Sequence, residues 1–146
     1  MAITHTVYQQ ISPEELERIS RYSDDDIVPD NFRDPRTWGD LKNVLIYHPD
    51  PIVRHEASFV VGEIQPDELI GWLYGVVKFD SSIVATHEAI EALGRTRNKN
   101  YARRLFQRLT GLRDGARGID ERLGHPDVQA TFDGALSKLT RLLADN

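Results

Sequence analysis

Two stretches of the chain place a histidine directly before a glutamate near the start of a helical pattern. They are IVRHEASFVVGEI, with His55 and Glu56, and VATHEAIEALGRT, with His87 and Glu88, thirty-two residues further on. Imidazole and carboxylate without sulfur are the donors that suit iron, manganese or zinc, and open coordination positions on such a metal admit water, dioxygen or substrate. The chain has no cysteine, so thiolate nucleophiles, iron–sulfur clusters, zinc ribbons and disulfides are excluded, and any metal is held by nitrogen and oxygen. Adjacent residues on a helix splay by about 100°, which makes one dyad a poor chelator. Two dyads on helices stacked roughly 10 Å apart can be aimed at one point between them.

The elements that would position them read as a repeat. Superposing His55 on His87 also aligns Glu56 with Glu88, Ala57 with Ala89, Gly62 with Gly94, Ile52 with Val84 and Asp50 with Ser82. Acids in a first turn favour the helix dipole, but that preference alone predicts no common register. Each dyad helix follows a turn (His48 to Pro51; Phe79 to Ser82), and each turn follows another helical stretch (Thr37 to Tyr47; Pro66 to Lys78). A third turn, GHPD, opens a further helix with Ala130 and Thr131 where a dyad would fall. Nothing alternates at strand period, so the expected fold is all-α, a short HEAT-like helical-repeat solenoid of stacked helix pairs. The chain divides as 1–36, an N-terminal helix and acidic loop; 37–96, the two His-Glu repeats; and 97–146, a helical cap.

On a helical wheel Val53, Ala57, Val60, Val61 and Ile64 share one face within about 100° and form the predicted core side of the first dyad helix. His55 falls about 200° and Glu56 about 300° from Val53, with Ile52 and Phe59 between them, and His87, Glu88, Val84 and Glu91 take the matching angles on the second. Ile83 and Ile90 are expected to continue the burial of Leu93. A narrow open strip carrying His-Glu is what remains.

These residues resemble the first two His-Glu helices of deoxyhypusine hydroxylase, a HEAT-repeat di-iron monooxygenase. The likeness includes Phe59 and Gly62 in the first and Glu-Ala-Leu-Gly (Glu91 to Gly94) in the second, and covers about residues 38–96. In that family four dyads, two from each half of a pseudo-symmetric solenoid, hold two irons and activate dioxygen to hydroxylate a modified lysine on a translation factor. The resemblance implies that His55, His87 and Glu88 are iron ligands and that Glu56 is a ligand or a substrate-facing carboxylate beside them. Glu56 or Glu91 would then receive the cationic group of an amine- or lysine-like substrate.

This chain carries two dyads where the family has four. Either a two-fold homodimer faces its strips together and rebuilds the four-dyad site, or one metal is bound, or the site is vestigial and the chain is an interaction scaffold. A two-fold interface uses the same patch on both copies, which favours the dimer.

Other signals carry less. His48 and His125 sit in HPD turns and read as turn chemistry, with Asp50 and Asp127 capping the following helices; His5 lies near the terminus. Residues 1–94 hold 7 Lys/Arg and 17 Asp/Glu, a charge of −10, and 95–146 hold 11 and 6, a charge of +5. The basic part, from Arg95 to Arg122, reads as a solvated end face or a surface for an acidic protein, since the whole chain has a pI near 5.5 and its aromatics are few. Nucleic-acid binding is therefore not expected, and no nucleotide-binding glycine motif is present. With no long apolar run and neither a basic nor an apolar leader, the expected location is the cytoplasm.

Overall fold

The computed structural model describes residues 11–145, and all regular structure among them is helical. His5 lies outside the described residues. Helix α1 (Pro13–Ser20) begins as its sequence requires, with Ser12 Oγ accepting from the Glu15 amide at 3.1 Å and proline in the first turn. Residues 23–36, expected to be an irregular loop, instead form three short 3-10 turns, Asp24–Asp26, Pro29–Phe32 and Pro35–Thr37. Isolated apolar residues among acids have no period to read, yet Ile27 and Phe32 are buried, and Trp38 Nε1 donates to the Phe32 carbonyl at 2.8 Å. The segment is a packed strap over the first helices.

Six longer helices follow: α2 (Trp38–Tyr47), α3 (Pro51–Ile64), α4 (Asp67–Phe79), α5 (Ile83–Gly94), α6 (Lys99–Ala116) and α7 (Pro126–Ala144). Each odd-numbered helix from α3 onward packs on the one before it, and α3, α5 and α7 pack side by side in chain order, while α2 also touches α4. The dyad helices are therefore an inner row. No helix among the described residues is long and apolar enough to cross a membrane.

The glycines aligned by the repeat explain how closely this row packs. A Cβ added at Gly62 of α3 would lie 2.8 Å from Ala92 Cβ of α5, and one at Gly94 of α5 would lie 3.0 Å from both Cα and Cβ of Ala135 on α7. Each glycine thus admits the next inner helix to backbone distance. Around them Val53, Ala57, Val60, Val61, Ile90 and Leu93 are buried as their wheel positions require. Ile83 is not: it opens α5 at the groove between this helix and α7, and stays 38% exposed.

Helix starts are closed by side chains just before them, and arginines close the ends of α2 and α4. Asp50 caps α3 by accepting from the Ile52 amide at 2.9 Å, and Ser82 Oγ caps α5 by accepting from Ala85 at 3.2 Å. At α7 the cap is His125, whose Nδ1 accepts from the Asp127 amide at 3.1 Å, so the cap expected of Asp127 belongs to its neighbour. The buried Arg54 donates to the carbonyl of His48, just past α2, and pairs with the equally buried Asp80 at 2.9 Å. Arg122 does the same for α4, donating to the carbonyls of Val77 and Lys78, both at 2.7 Å. Burial pushes the Arg122 guanidinium below its usual range. Further on, α6 runs through Asp114 and Gly115 and stops at Arg117, before Gly118 with φ of 77°.

Candidate functional site

Counted from the helix start, His55 and Glu56 are the fifth and sixth residues of α3, His87 and Glu88 those of α5, and Ala130 and Thr131 those of α7. Equal position on three adjacent helices places all three pairs along one strip. The side chains reach from each helix to the next. His55 Nε2 lies 3.2 Å from Glu88 Oε1 across the α3–α5 interface, and His55 Nδ1 lies 3.1 Å from Glu56 Oε1 on its own helix. His87 Nδ1 lies 2.6 Å from Thr131 Oγ1 across the α5–α7 interface, and its Nε2 lies 2.8 Å from Glu91 Oε1 one turn further along α5. Three of the four dyad residues therefore form a chain, with Glu56 and Glu88 on opposite ring nitrogens of His55, while His87 joins Glu91.

Arg95, read from sequence as part of a basic face, belongs to the first cluster. Its guanidinium lies 3.0 Å from Glu88 Oε2, 3.9 Å from Glu63, and over the Phe59 ring with its Cζ 5.2 Å from the ring centre. Gly62 gives it room, since a Cβ there would come within 2.5 Å of Arg95 Nη2. The signal was available: the glycine preceding Arg95 is the repeat's own Gly94, which places the next residue beside the preceding inner helix. Thr131 was visible only as the absence of a dyad.

A neutral imidazole has one N–H, and an ionised carboxylate only accepts. His55 faces carboxylates at both ring nitrogens, so with a neutral ring one edge lacks a positive charge, and a proton or a metal cation has to supply it. His87 has more freedom, because its Nδ1 meets a hydroxyl that both donates and accepts.

Beside His87 the strip opens into a groove of about 560 Å³, with Ile83 and Val84 on one wall and Ala130, Gly134 and Lys138 on the other. His55 and Glu91 also border it. The small side chains of α7 create this space where a third dyad would have filled it. Ile52, Phe59 and Val84 are exposed on the same side, as their wheel positions predicted.

The donor types suit iron, manganese or zinc. Two donors each about 2.1 Å from one metal stand about 3.0–3.4 Å apart, and the His55–Glu88 separation of 3.2 Å falls in that range. The number of donors falls short: among the described residues no three His, Asp or Glu side chains form a group that could hold a metal ion. The residues thus fit a metal in kind and in one edge, and not as a closed coordination shell. No protein-family model matches the chain, and neither a curated protein nor a solved structure matches it significantly.

Proposed function

We propose that the chain is a metal-binding helical-repeat protein of HEAT-like construction. More specifically, we read it as a non-haem iron oxygenase related to deoxyhypusine hydroxylase that acts on an amine- or lysine-like substrate. One observation carries the reading: His55 stands between Glu56 and Glu88, on two different helices, with one imidazole–carboxylate edge that a neutral ring cannot satisfy. A divalent cation satisfies that edge with the donor types and spacing present. His55 and Glu88 would hold the iron, and His87 and Glu56 would serve as further donors by turning away from Glu91 and from His55 Nδ1. When bound, the iron would supply dioxygen activation.

Because one chain gathers too few donors, the reading includes a two-fold homodimer whose strips face each other. The exposed Ile52, Phe59 and Val84 beside the dyads provide apolar surface for that contact. The groove next to His87 would admit the substrate, its aliphatic part along Ile83 and Val84 and its cationic end at Glu91 or Glu56.

The test is metal content per chain by elemental analysis after anaerobic loading with ferrous iron, on protein purified without a chelating tag. Close to one iron per chain, lost in the double variant His55→Ala/His87→Ala with folding retained, is the expected result. A double variant that keeps its metal would show that the site is elsewhere.

A second reading is a non-catalytic interaction scaffold. It is favoured by Arg95, which neutralises Glu88 from the protein's own side. On this reading the dyads are structural, no metal loads, and the apolar strip binds a protein partner.

A further inference from the structure

The third repeat has lost the His-Glu pair, and the residue in the glutamate position, Thr131, is placed directly against His87. We propose that Thr131 is the positioning residue of His87: its hydroxyl acts as a rotor that keeps His87 Nδ1 hydrogen-bonded whether Nε2 carries a hydrogen or faces a cation. The proposal rests on the metal-binding reading only for the cation; the rotor itself follows from the geometry.

Thr131 Oγ1 has two neighbours. It lies 2.6 Å from His87 Nδ1 and 2.8 Å from the carbonyl oxygen of Asp127, one turn back in α7. A hydroxyl has one hydrogen and two lone pairs, so it bonds His87 Nδ1 in either of two arrangements, and the Asp127 carbonyl in the second alone. In the first, Thr131 donates to His87 Nδ1, and His87 Nε2–H donates to Glu91 Oε1 at 2.8 Å. In the second, Thr131 donates to the Asp127 carbonyl and accepts from His87 Nδ1–H. The Nε2 lone pair then points toward Glu91, and imidazole and carboxylate together face whatever cation lies there.

Going from the first arrangement to the second, the ring loses the hydrogen at Nε2 and gains one at Nδ1 by exchange with solvent. The cation takes the vacated place, with no net change in the ring's proton count. Ligating histidines generally donate the other ring N–H to a fixed acceptor, which sets their orientation and basicity. Thr131 is suited to that task because it is itself only 8% exposed, so water cannot readily replace it. His55 has no such device, since both its neighbours are carboxylates that only accept when ionised. The two histidines are therefore unequal in this chain although their motifs are alike.

The test compares Thr131→Val, which keeps the shape and removes the hydroxyl, with Thr131→Ser, which restores it. Two readouts are taken on the full chain. In metal-free protein, the nitrogen-15 resonance of His87 Nδ1 is expected to sit at the hydrogen-bonded position in wild type and Thr131→Ser and to move to the free-acceptor position in Thr131→Val. With cobalt(II) as the probe, Thr131→Val is expected to bind about 10- to 100-fold more weakly, with an altered visible absorption band, and Thr131→Ser to restore both. An unchanged Nδ1 resonance in Thr131→Val overturns the proposal. If wild type binds no cobalt but the resonance moves as stated, the metal reading fails and the rotor stands. If cobalt binds equally to wild type and Thr131→Val, the role of Thr131 toward a cation is overturned.

Discussion

His55 and His87 occupy the same place on successive helices and are followed by the same residue, yet their surroundings are opposite in character. His55 is held between two carboxylates with an arginine behind them; His87 is held between a carboxylate and a hydroxyl at the edge of a groove. The difference comes from the next helix in the row. Behind α3 stands α5, which offers Glu88; behind α5 stands α7, which offers Thr131. A repeated motif thus fixes where a side chain points, and the neighbouring repeat decides what it meets.

The largest expected effect tests whether the two repeats are held equally firmly. Arg54→Ala leaves Asp80 buried without its partner, a class of change that costs about 3–5 kcal/mol, whereas Arg122→Ala removes donors to two carbonyls and to Thr86 and should cost about 2 kcal/mol. Urea unfolding of the two variants gives the comparison. Equal losses would mean that the first repeat owes nothing special to its buried ion pair.

Metal affinity addresses the dyads directly. His55→Ala removes the one cross-helix imidazole–carboxylate edge and is expected to weaken zinc or cobalt binding by on the order of 100-fold or more, with His87→Ala weaker in effect, nearer about tenfold. Isothermal titration of each single variant measures this. The reverse order would make the His87–Glu91 pair the primary site and His55 its support.

Packing gives a smaller effect that compares the two interfaces. Alanine at Gly94 would stand 3.0 Å from Cα and Cβ of Ala135, while at Gly62 it would stand 2.8 Å from Cβ and 3.0 Å from Cα of Ala92, which cannot turn aside, besides the movable end of Arg95. Overpacking of this kind costs about 1–3 kcal/mol, offset by about 1 kcal/mol of helix propensity. Gly62→Ala should therefore be the more destabilising of the two by thermal melting. Gly62→Ala should also disturb the Arg95–Glu88 pair, seen as a change in metal affinity that Gly94→Ala does not share.

The inner row and the open strip were legible in sequence because period and register are local. Val53, Ala57, Val60 and Val61 announce one face, and six aligned positions announce the other. The burial of Ile27 and Phe32 was not legible, since two apolar residues among acids have no period until a helix is present for them to cover. Arg95 was hidden by composition: it sits among arginines that face solvent, and only its place after Gly94 sets it apart. Thr131 was hidden by chemistry, for a hydroxyl becomes a histidine's partner only when a neighbouring helix brings the ring within 2.6 Å. The repeat supplied positions, and tertiary approach supplied the partners.

The smallest expected effect concerns acid and serves to isolate the strip from the N-terminal pair. Asp40 on α2 accepts from Arg18 of α1 and from Tyr22 Oη at 2.8 Å, and the Arg18 hydrogen bonds hold its carboxyl below the usual range. A carboxylate with a lowered folded-state pKa contributes stability that is fully present above its unfolded value, about 3.9, and is lost as pH falls through the folded value. The α1–α2 contact should accordingly weaken below about pH 4, and Asp40→Asn should flatten that part of the stability profile while leaving metal affinity at neutral pH unchanged. Thermal melts between neutral and acid pH measure it. If Asp40→Asn also altered metal affinity, the strip would be coupled to the first helix pair, and the contrast between the two dyads could no longer be assigned to α5 and α7 alone.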